Sequence, residues 1–346
     1  MSDLKRINDL YQTFASGPRK SPAPTKAPTR DVINTLRVRY WYEGLKSRAQ
    51  LKTAYQLEQH FDGMSFKRDD AGKIVHYRNK WSRYEHGHNT PQARLFQRVD
   101  ALEPGSAREL NHPLWDALKK TAPKKISEET FLRRLEPEVQ RIIFGVKPSG
   151  VTSYSKRGPV TQCLLEMLER RASLDVLACL TWLLREAIVQ GNQRTAESVV
   201  SSLHNVLLII GIELQSRRIA ELLLGVFVRD ILPLGAPRLL KFAMNESDYI
   251  KASAYLNVTV YNTEDAGYKP VLSWPHRVRI MRKLLAGKCG YDVHYALAPI
   301  LIPDCPGDEI PEGIMKSIQR SQRLREWGVE CIQAGRPGRF PPSAIW

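Results

Sequence analysis

Residues 80–91 read KWSRYEHGHNTP, and the interpretation of the N-terminal half starts from them. Trp81 and Tyr84 lie three residues apart, so their rings fall on one face of a helix. Gly87 can adopt the positive φ that ends a helix, and Pro91 is well tolerated near the first turn of the next one. The stretch therefore predicts a short helix, a left-handed turn and a second helix that follows the proline.

Two more helices are predicted upstream of this stretch. Asp31 is a suitable N-cap for a mostly buried helix over residues 32–46, because apolar residues recur there at helical spacing. Ser47 can cap a second helix over residues 48–60. With the helix of residues 91–102, these segments form one helical unit.

Residues 61–77 separate the second of these helices from residue 80. Two short runs with basic and β-branched residues flank the turn residues 69–72, and this arrangement predicts an inserted β-hairpin. Lys67 and Arg68 lie on its first strand, where they are candidates for nucleic-acid contacts.

The run Ser82-Arg83-Tyr84-Glu85-x-Gly87-x-x-x-Pro91 resembles the end of the recognition helix in the Cro and lambda-repressor class of helix-turn-helix domains. The resemblance covers roughly residues 31–102. The inserted hairpin departs from that class, whose second and third helices are joined by only a few residues. A basic hairpin at this place would reach along a nucleic-acid backbone or into the adjacent groove, but an insertion of this length also suits a domain that no longer reads bases.

The resemblance implies a structural role for five residues. Trp81 and Tyr84 would form the inner face of the third helix, and Glu85 would fix the turn by hydrogen bonding. Gly87 and Pro91 would set the geometry of the connection.

The resemblance also implies which side chains would meet DNA. Arg78, Asn79, Ser82 and Arg83 would read base edges, and Lys80 would contact a phosphate. This choice agrees with chemistry, since Arg can bond to guanine and Asn to adenine through two hydrogen bonds in the major groove. The alternative interpretation is a solvated polar face on an ordinary small helix.

The charge distribution favours a polyanionic partner for the same half of the chain. The net charge is +16, and residues 1–160 hold 30 Lys and Arg against 17 Asp and Glu, whereas residues 161–346 hold 22 against 19. Basic side chains release condensed counterions when they meet phosphates, so such asymmetry is typical of nucleic-acid binding. A solubilising surface charge is the alternative.

Four parts of the chain are predicted from composition together with the resemblance. Residues 1–30 form a short amphipathic helix and a basic Pro-rich linker, and residues 31–150 form the basic helix-turn-helix-like domain. Residues 160–335 form a helical domain, and residues 336–346 form a tail. The fold class is therefore mainly α, with an N-terminal helix-turn-helix-like domain, an inserted β-hairpin and a C-terminal multi-helix bundle.

The C-terminal half is rich in leucine and alanine. Helices are predicted over residues 160–172, 174–190, 193–214, 216–232, 275–286 and 312–333, and a short strand over residues 255–261. The longest apolar run, over residues 206–214, is too short to cross a bilayer and is interpreted as part of a buried helix. Arg279, Arg282 and Lys283 form one basic face, which is either solvated or meets an acidic partner or nucleic acid.

Few features indicate chemistry. The sequence contains no phosphate-binding Gly-rich loop, metalloprotease motif or nucleophile elbow, so we expect neither catalysis nor a cofactor. His86 and His88 are the nearest approach to a metal-binding pair, but the glycine between them lies where the helix must end. The cysteines are five in number and widely spaced, which favours reduced thiols in the cytoplasm.

The sequence leads us to expect a cytoplasmic protein that binds duplex DNA, recognises the base sequence with the third helix and does not associate with a membrane. We expect it to form a homodimer, or to bind a protein partner, through its C-terminal helices. A transcription regulator fits this description. Two alternatives stay open: a non-enzymatic scaffold subunit, and an RNA-binding component of a larger bacterial, phage or plasmid assembly.

Overall fold

The computed structural model describes residues 31–76, 78–119, 128–145, 157–263, 272–304, 310–335 and 340–343. The predicted N-terminal helix and linker in residues 1–30 lie outside the described residues. The same holds for most of the predicted domain boundary and most of the C-terminal tail.

The described part of the chain is mainly helical with a small hairpin, as the sequence predicted. In the N-terminal half the elements are α1 (Val32–Arg48), α2 (Ala54–Phe61), β1 (Lys67–Arg68), β2 (Ile74–His76), α3 (Lys80–Glu85), α4 (Ala93–Leu102), α5 (Ser106–Leu110), α6 (Pro113–Leu118), α7 (Glu128–Leu132) and α8 (Pro137–Phe144).

The C-terminal half continues with longer helices and one further strand pair. Its elements are α9 (Gln162–Arg171), α10 (Leu174–Val189), α11 (Gln193–Ser216), α12 (Ala220–Val226), β3 (Leu240–Phe242), α13 (Glu246–Thr259), α14 (Trp274–Leu285), α15 (Tyr291–Ala296), β4 (Leu301–Pro303) and α16 (Glu312–Gln333). The last helix has the bounds that the sequence predicted.

The boundary between the first two helices differs from the prediction. Asp31 caps α1 as expected, since its carboxylate accepts a hydrogen bond from the Ile33 N–H at 3.1 Å. Ser47 does not cap the second helix, because α1 continues through it to Arg48. Instead Thr53 caps α2 in a capping box, where its hydroxyl accepts from the Gln56 N–H and the Gln56 amide oxygen accepts from the Thr53 N–H, each at 3.2 Å.

The inserted hairpin is present between α2 and α3. Strands β1 and β2 pair antiparallel with Lys67 opposite His76. The Asp69 side chain closes the turn by accepting from the Lys73 N–H at 2.8 Å, and Gly72 takes a positive φ of 78°. A second antiparallel pair, β3 with β4, was not predicted.

The predicted strand over residues 255–261 is wrong, because this run continues α13 and a following 3-10 turn. Asn245 and Asp248 form a capping box that starts the helix upstream, with both hydrogen bonds at 3.0 Å. Tyr255 and Leu256 are buried in the helical core, and tertiary packing overrides the β preference of the run.

Two hydrophobic clusters organise the described residues. The main core joins most helices from α6 to α15 and also receives Ile33 and Leu36 from α1. The aromatic cluster lies in the N-terminal half and consists of Val38, Trp41, Tyr42, Leu45, Leu57, Phe61, Trp81, Tyr84, Leu95, Val99 and Leu110. Because α1 contributes to both clusters, it connects them.

Helix α11 is the central element of the main core. Among the described residues it is the one helix long and apolar enough to cross a bilayer, with 67% of its most apolar window buried inside the fold. Packing against α10 and α13 on either side accounts for this apolar character, so the helix is compatible with a soluble protein.

Candidate nucleic-acid interface

The aromatic cluster fixes the orientation of α3. The Trp81 ring stacks between Trp41, at 5.8 Å between centroids, and Phe61, at 5.4 Å. Tyr84 meets both tryptophans edge-on at 5.9 and 5.7 Å. Both α3 rings are buried, so the inner face is the one that the residue spacing predicted. The opposite face of this six-residue helix is directed away from the cluster.

Backbone hydrogen bonds end α3 at a glycine. The His88 N–H donates to the Arg83 carbonyl at 2.8 Å, and the Gly87 N–H donates to the Tyr84 carbonyl at 2.9 Å, which is the Schellman arrangement. Gly87 has a φ of 69°, and a Cβ at this position would lie 2.8 Å from the Thr35 carbonyl oxygen. Only glycine therefore suits both the backbone conformation and the close approach to α1.

Glu85 has a role other than the predicted one. The turn is closed by main-chain groups, and the Glu85 carboxylate lies 3.9 Å from the guanidinium of Arg218, just beyond the end of α11. The same guanidinium lies 3.6 Å from Glu43 on α1. Glu85 therefore connects α3 to the C-terminal half. Pro91 is buried just before α4, which begins at Ala93.

The predicted base readers lie at the start of α3 and on its outer face. Arg78, Asn79 and Arg83 are exposed, and Ser82 is partly buried. Asn79 occupies the N-cap position with a φ of 50°, and its side chain makes no capping hydrogen bond there. Asparagine tolerates this left-handed conformation better than most residues do. Its side chain is exposed at the helix start, next to that of Arg78.

Lys80 makes a different contact from the one predicted. Its ammonium group pairs with Asp62, which follows α2, and Arg98 of α4 reaches the same carboxylate at 3.2 Å. The aspartate holds the beginning of α3 against α2 and α4. A phosphate contact by Lys80 would have to compete with this ion pair, so we assign the residue a structural role. The structural role of Asp62 could not be predicted, because Lys80 and Arg98 are distant from it along the chain.

The hairpin adds further cations to the exposed surface. Lys67, Arg68 and Lys73 are exposed, and Arg68 donates to the Gly72 carbonyl at 2.8 Å across the turn. The Phe66 ring packs edge-on against Tyr55 of α2 at 5.4 Å, which anchors the base of the hairpin. The basic side chains are therefore held near α2 without being buried.

The charge of this region is strongly positive. Residues 64–98 contain eight Lys and Arg against three Asp and Glu. Of the three acids, Asp69 serves the hairpin turn and Glu85 faces Arg218. We call the exposed residues Lys67, Arg68, Lys73, Arg78, Asn79 and Arg83 the basic surface. Its chemistry suits phosphate oxygens and the acceptor-rich edge of guanine.

The histidines of the turn do not form a metal site with a third ligand. His86 and His88 stack with their ring centroids 5.7 Å apart, and the His86 Nδ1 lies 2.8 Å from the Ser82 carbonyl oxygen. Within the part of the chain that the structure describes, no group of three or more His, Cys, Asp or Glu is arranged to hold a metal ion.

Two buried titratable groups outside the basic surface are held by internal partners. Asp175 accepts from Arg108 at 2.7 Å and pairs with His112 at 3.0 Å, beside a groove of about 720 Å³ between α1, α5 and α11. Burial alone would raise the pKa of Asp175, but His112 and Arg108 outweigh it and lower the pKa. His204 lies between the Tyr249 hydroxyl at 2.8 Å and the Leu297 carbonyl at 2.9 Å. These contacts are structural.

Comparison with known proteins adds no assignment to this geometry. No family model matches the chain, and neither a curated protein nor a solved structure does. The functional interpretation therefore depends on the contacts, exposure and charge of the basic surface.

Proposed function

We propose that the protein binds duplex DNA through the basic surface, with α3 in the major groove and the hairpin against the backbone. The observation that carries the proposal is the orientation of α3. Trp81 and Tyr84 are locked into the aromatic cluster, while Arg78, Asn79 and Arg83 are exposed on the other side.

The short length of α3 is consistent with this role. In helix-turn-helix proteins the N-terminal residues of the recognition helix contact base edges. Asn79 and Arg78 lie at that end of α3, and Arg83 lies one turn further along the helix. An asparagine and two arginines can together distinguish adenine and guanine from the other bases.

The wider biological role proposed is that of a cytoplasmic transcription regulator. Proteins of this docking class bind near-palindromic operators as dimers. Two copies of this chain, paired through the C-terminal helices, would therefore contact two half-sites. A native-mass measurement with and without duplex DNA tests the pairing.

The experiment that tests DNA binding is a salt titration with duplex DNA, single-stranded DNA and RNA as competing probes. The double variant Arg78→Ala/Arg83→Ala should reduce duplex affinity by about tenfold or more, since each contact to a charged group contributes about 1.5–3 kcal/mol. The matched control is Arg320→Ala/Arg323→Ala, which removes two exposed charges from α16. Equal loss in both variants, or a salt-independent affinity, would contradict the proposal.

RNA binding is the second candidate, and the C-terminal end of the fold favours it. Tyr291 and Tyr295 stack at 5.8 Å, and Phe340, which is 75% exposed, lies 5.5 Å from Tyr291. Unpaired bases stack on such rings. If this surface is the functional one, structured RNA will bind more tightly than duplex DNA.

A further inference from the structure

A second basic region lies in the C-terminal half, where three helices enclose a groove of about 830 Å³. Helix α9 forms one wall and α14 another, and α11 contributes further lining residues. We call this feature the α9–α14 groove. Its polar lining residues from α11 are Ser198, Ser201, Ser202 and Asn205.

Cations from two walls dominate the α9–α14 groove. The lining contains five basic and two acidic side chains, which leaves an excess of three positive charges: Arg170, Arg279, Arg282, Lys283 and Lys288, with Glu166 and Glu169. For the basic face of α14, which Arg279, Arg282 and Lys283 form, the sequence left open a solvated surface, an acidic partner or a nucleic acid. The structure places Arg282 and Lys283 partly inside the groove, and it places Arg279 at the exposed lip.

The floor of the groove is built around one buried carboxylate. Glu169 accepts from the Ser202 hydroxyl at 2.8 Å and from the Asn205 amide at 3.3 Å, and the Arg282 guanidinium lies 3.4 Å away. The second glutamate, Glu166, is nearer the solvent and lies 3.9 Å from Arg282. These contacts hold Arg282 in a defined position before any ligand arrives, which lowers the entropy cost of binding.

We propose that the α9–α14 groove binds a ligand through its phosphoryl groups. Arginine forks and lysine ammonium groups are the side chains that recognise phosphate oxygens. The volume exceeds that of a single phosphate, so the ligand carries either several phosphoryl groups or a phosphate on a larger polar body. Such a ligand is either a free phosphate ester or the phosphodiester backbone of a nucleic acid.

The test uses the full chain and sodium tripolyphosphate as the probe, with citrate as an anion that lacks phosphoryl groups. Wild type should bind tripolyphosphate saturably and more tightly than citrate in isothermal titration calorimetry. The variant Arg279→Gln/Lys288→Gln should lower tripolyphosphate affinity by about tenfold or more, because it removes two cations from the lining. Arg320→Gln/Arg323→Gln on α16 is the charge-matched control and should leave the affinity unchanged.

A substitution that removes a negative charge instead of a positive one distinguishes loss of ligand binding from misfolding. Glu166→Gln removes a negative charge from the groove and should raise tripolyphosphate affinity by about threefold, a gain in the range of exposed ion pairs. No folding defect produces such a gain. Absence of saturable binding to wild type, equal affinity for citrate, or equal losses in the groove and control variants would overturn the proposal.

A titration with duplex DNA at the same ionic strength distinguishes the two sources of phosphoryl groups. If the ligand is a free phosphate ester, Arg279→Gln/Lys288→Gln will weaken tripolyphosphate binding and leave duplex binding unchanged. If it is a nucleic-acid backbone, the same variant will weaken both. Because Arg78→Ala/Arg83→Ala leaves the groove intact, tripolyphosphate binding by that variant separates failure of this proposal from failure of DNA binding by the basic surface.

Discussion

The aromatic cluster and the main core hold their helices in different ways. Five of the eleven buried residues of the cluster are aromatic, and three of those rings form a continuous stack through Trp81. The main core is far larger and mostly aliphatic, so each of its side chains carries a small share of the packing. The orientation of the basic surface therefore depends on a few large rings, whereas the main core distributes its packing over many aliphatic side chains.

The largest effects are expected when one buried side chain is replaced in each cluster: a ring in the aromatic cluster and an aliphatic side chain in the main core. Trp81→Ala removes a ring stacked on both sides and should cost about 3–5 kcal/mol of unfolding free energy and abolish duplex binding. Leu207→Ala in α11 should cost about 2–5 kcal/mol but leave duplex binding by the folded fraction intact. Urea denaturation and fluorescence anisotropy measure the two quantities. Retention of duplex binding by folded Trp81→Ala would show that the ring does not position α3.

Two glycines with the same backbone conformation provide a finer comparison. Gly87 and Gly191 have φ values of 69° and 68°, but a Cβ meets Thr35 only at Gly87, and nothing lies within 4 Å at Gly191. Gly191→Ala should cost about 1–2 kcal/mol from the left-handed conformation alone. Gly87→Ala should cost more, about 2–3 kcal/mol, because steric overlap adds to the same strain. Equal destabilisation in urea titrations would mean that the approach of α3 to α1 relaxes without cost.

Acidification should affect the main core through His204. Burial lowers the pKa of His204 to about 4, so the folded protein keeps the ring neutral at pH values where the unfolded chain binds a proton. Stability is therefore fully present above the ordinary pKa of about 6.5 and falls as the pH drops from there to about 4. We expect a loss of about 2 kcal/mol between pH 7.5 and pH 5.

The control for this prediction is His204→Asn, which removes the titrating ring. It should destabilise the protein at pH 7.5 and show a smaller further loss at pH 5 than wild type. The same pH dependence in both proteins would assign the effect to other groups.

The smallest effect is expected at the ion pairs between the two halves. Arg218, just beyond the end of α11, is 55% exposed and lies near Glu43 and Glu85. Arg218→Ala should therefore change the unfolding free energy by less than about 1 kcal/mol, and by less still at high salt. A loss above about 2 kcal/mol in urea titrations would indicate that these contacts act as a buried network.

The sequence predicted those parts of the fold that depend on interactions between residues close together along the chain. The stop at Gly87, the inner face of Trp81 and Tyr84, and the bounds of α16 are local patterns, and the structure agrees with each. Ser47 was a wrong cap because α1 continues through it to Arg48, and α2 is capped instead by Thr53, which forms a capping box with Gln56. The run over residues 255–261 was misassigned because the helix capped by Asn245 extends into it, and the packing of that helix outweighs the β preference of the run.

The candidate site shows the same limit. Exposure of Arg83 follows from helical geometry once the inner face is known, whereas Arg78 and Asn79 precede the helix and are exposed at its start. The partners of Lys80 and Glu85 do not follow from that geometry, because Asp62 and Arg218 are distant along the chain and are brought close only by the packing of α2 and α11. The α9–α14 groove likewise needs residues from three helices, of which sequence indicated only the basic face of α14.

The measurement that tests the central claim most directly is the sequence preference of Arg83. Duplexes selected by the wild-type protein from a random pool would be compared with scrambled duplexes of equal length and salt, for wild type, Arg83→Ala and the α16 control Arg320→Ala. The account predicts that Arg83→Ala loses about tenfold or more on the selected duplex, but much less on the scrambled one, since a bidentate base contact is worth about 1–3 kcal/mol of discrimination. Equal losses on both duplexes, or no preference in the wild-type protein, would contradict it.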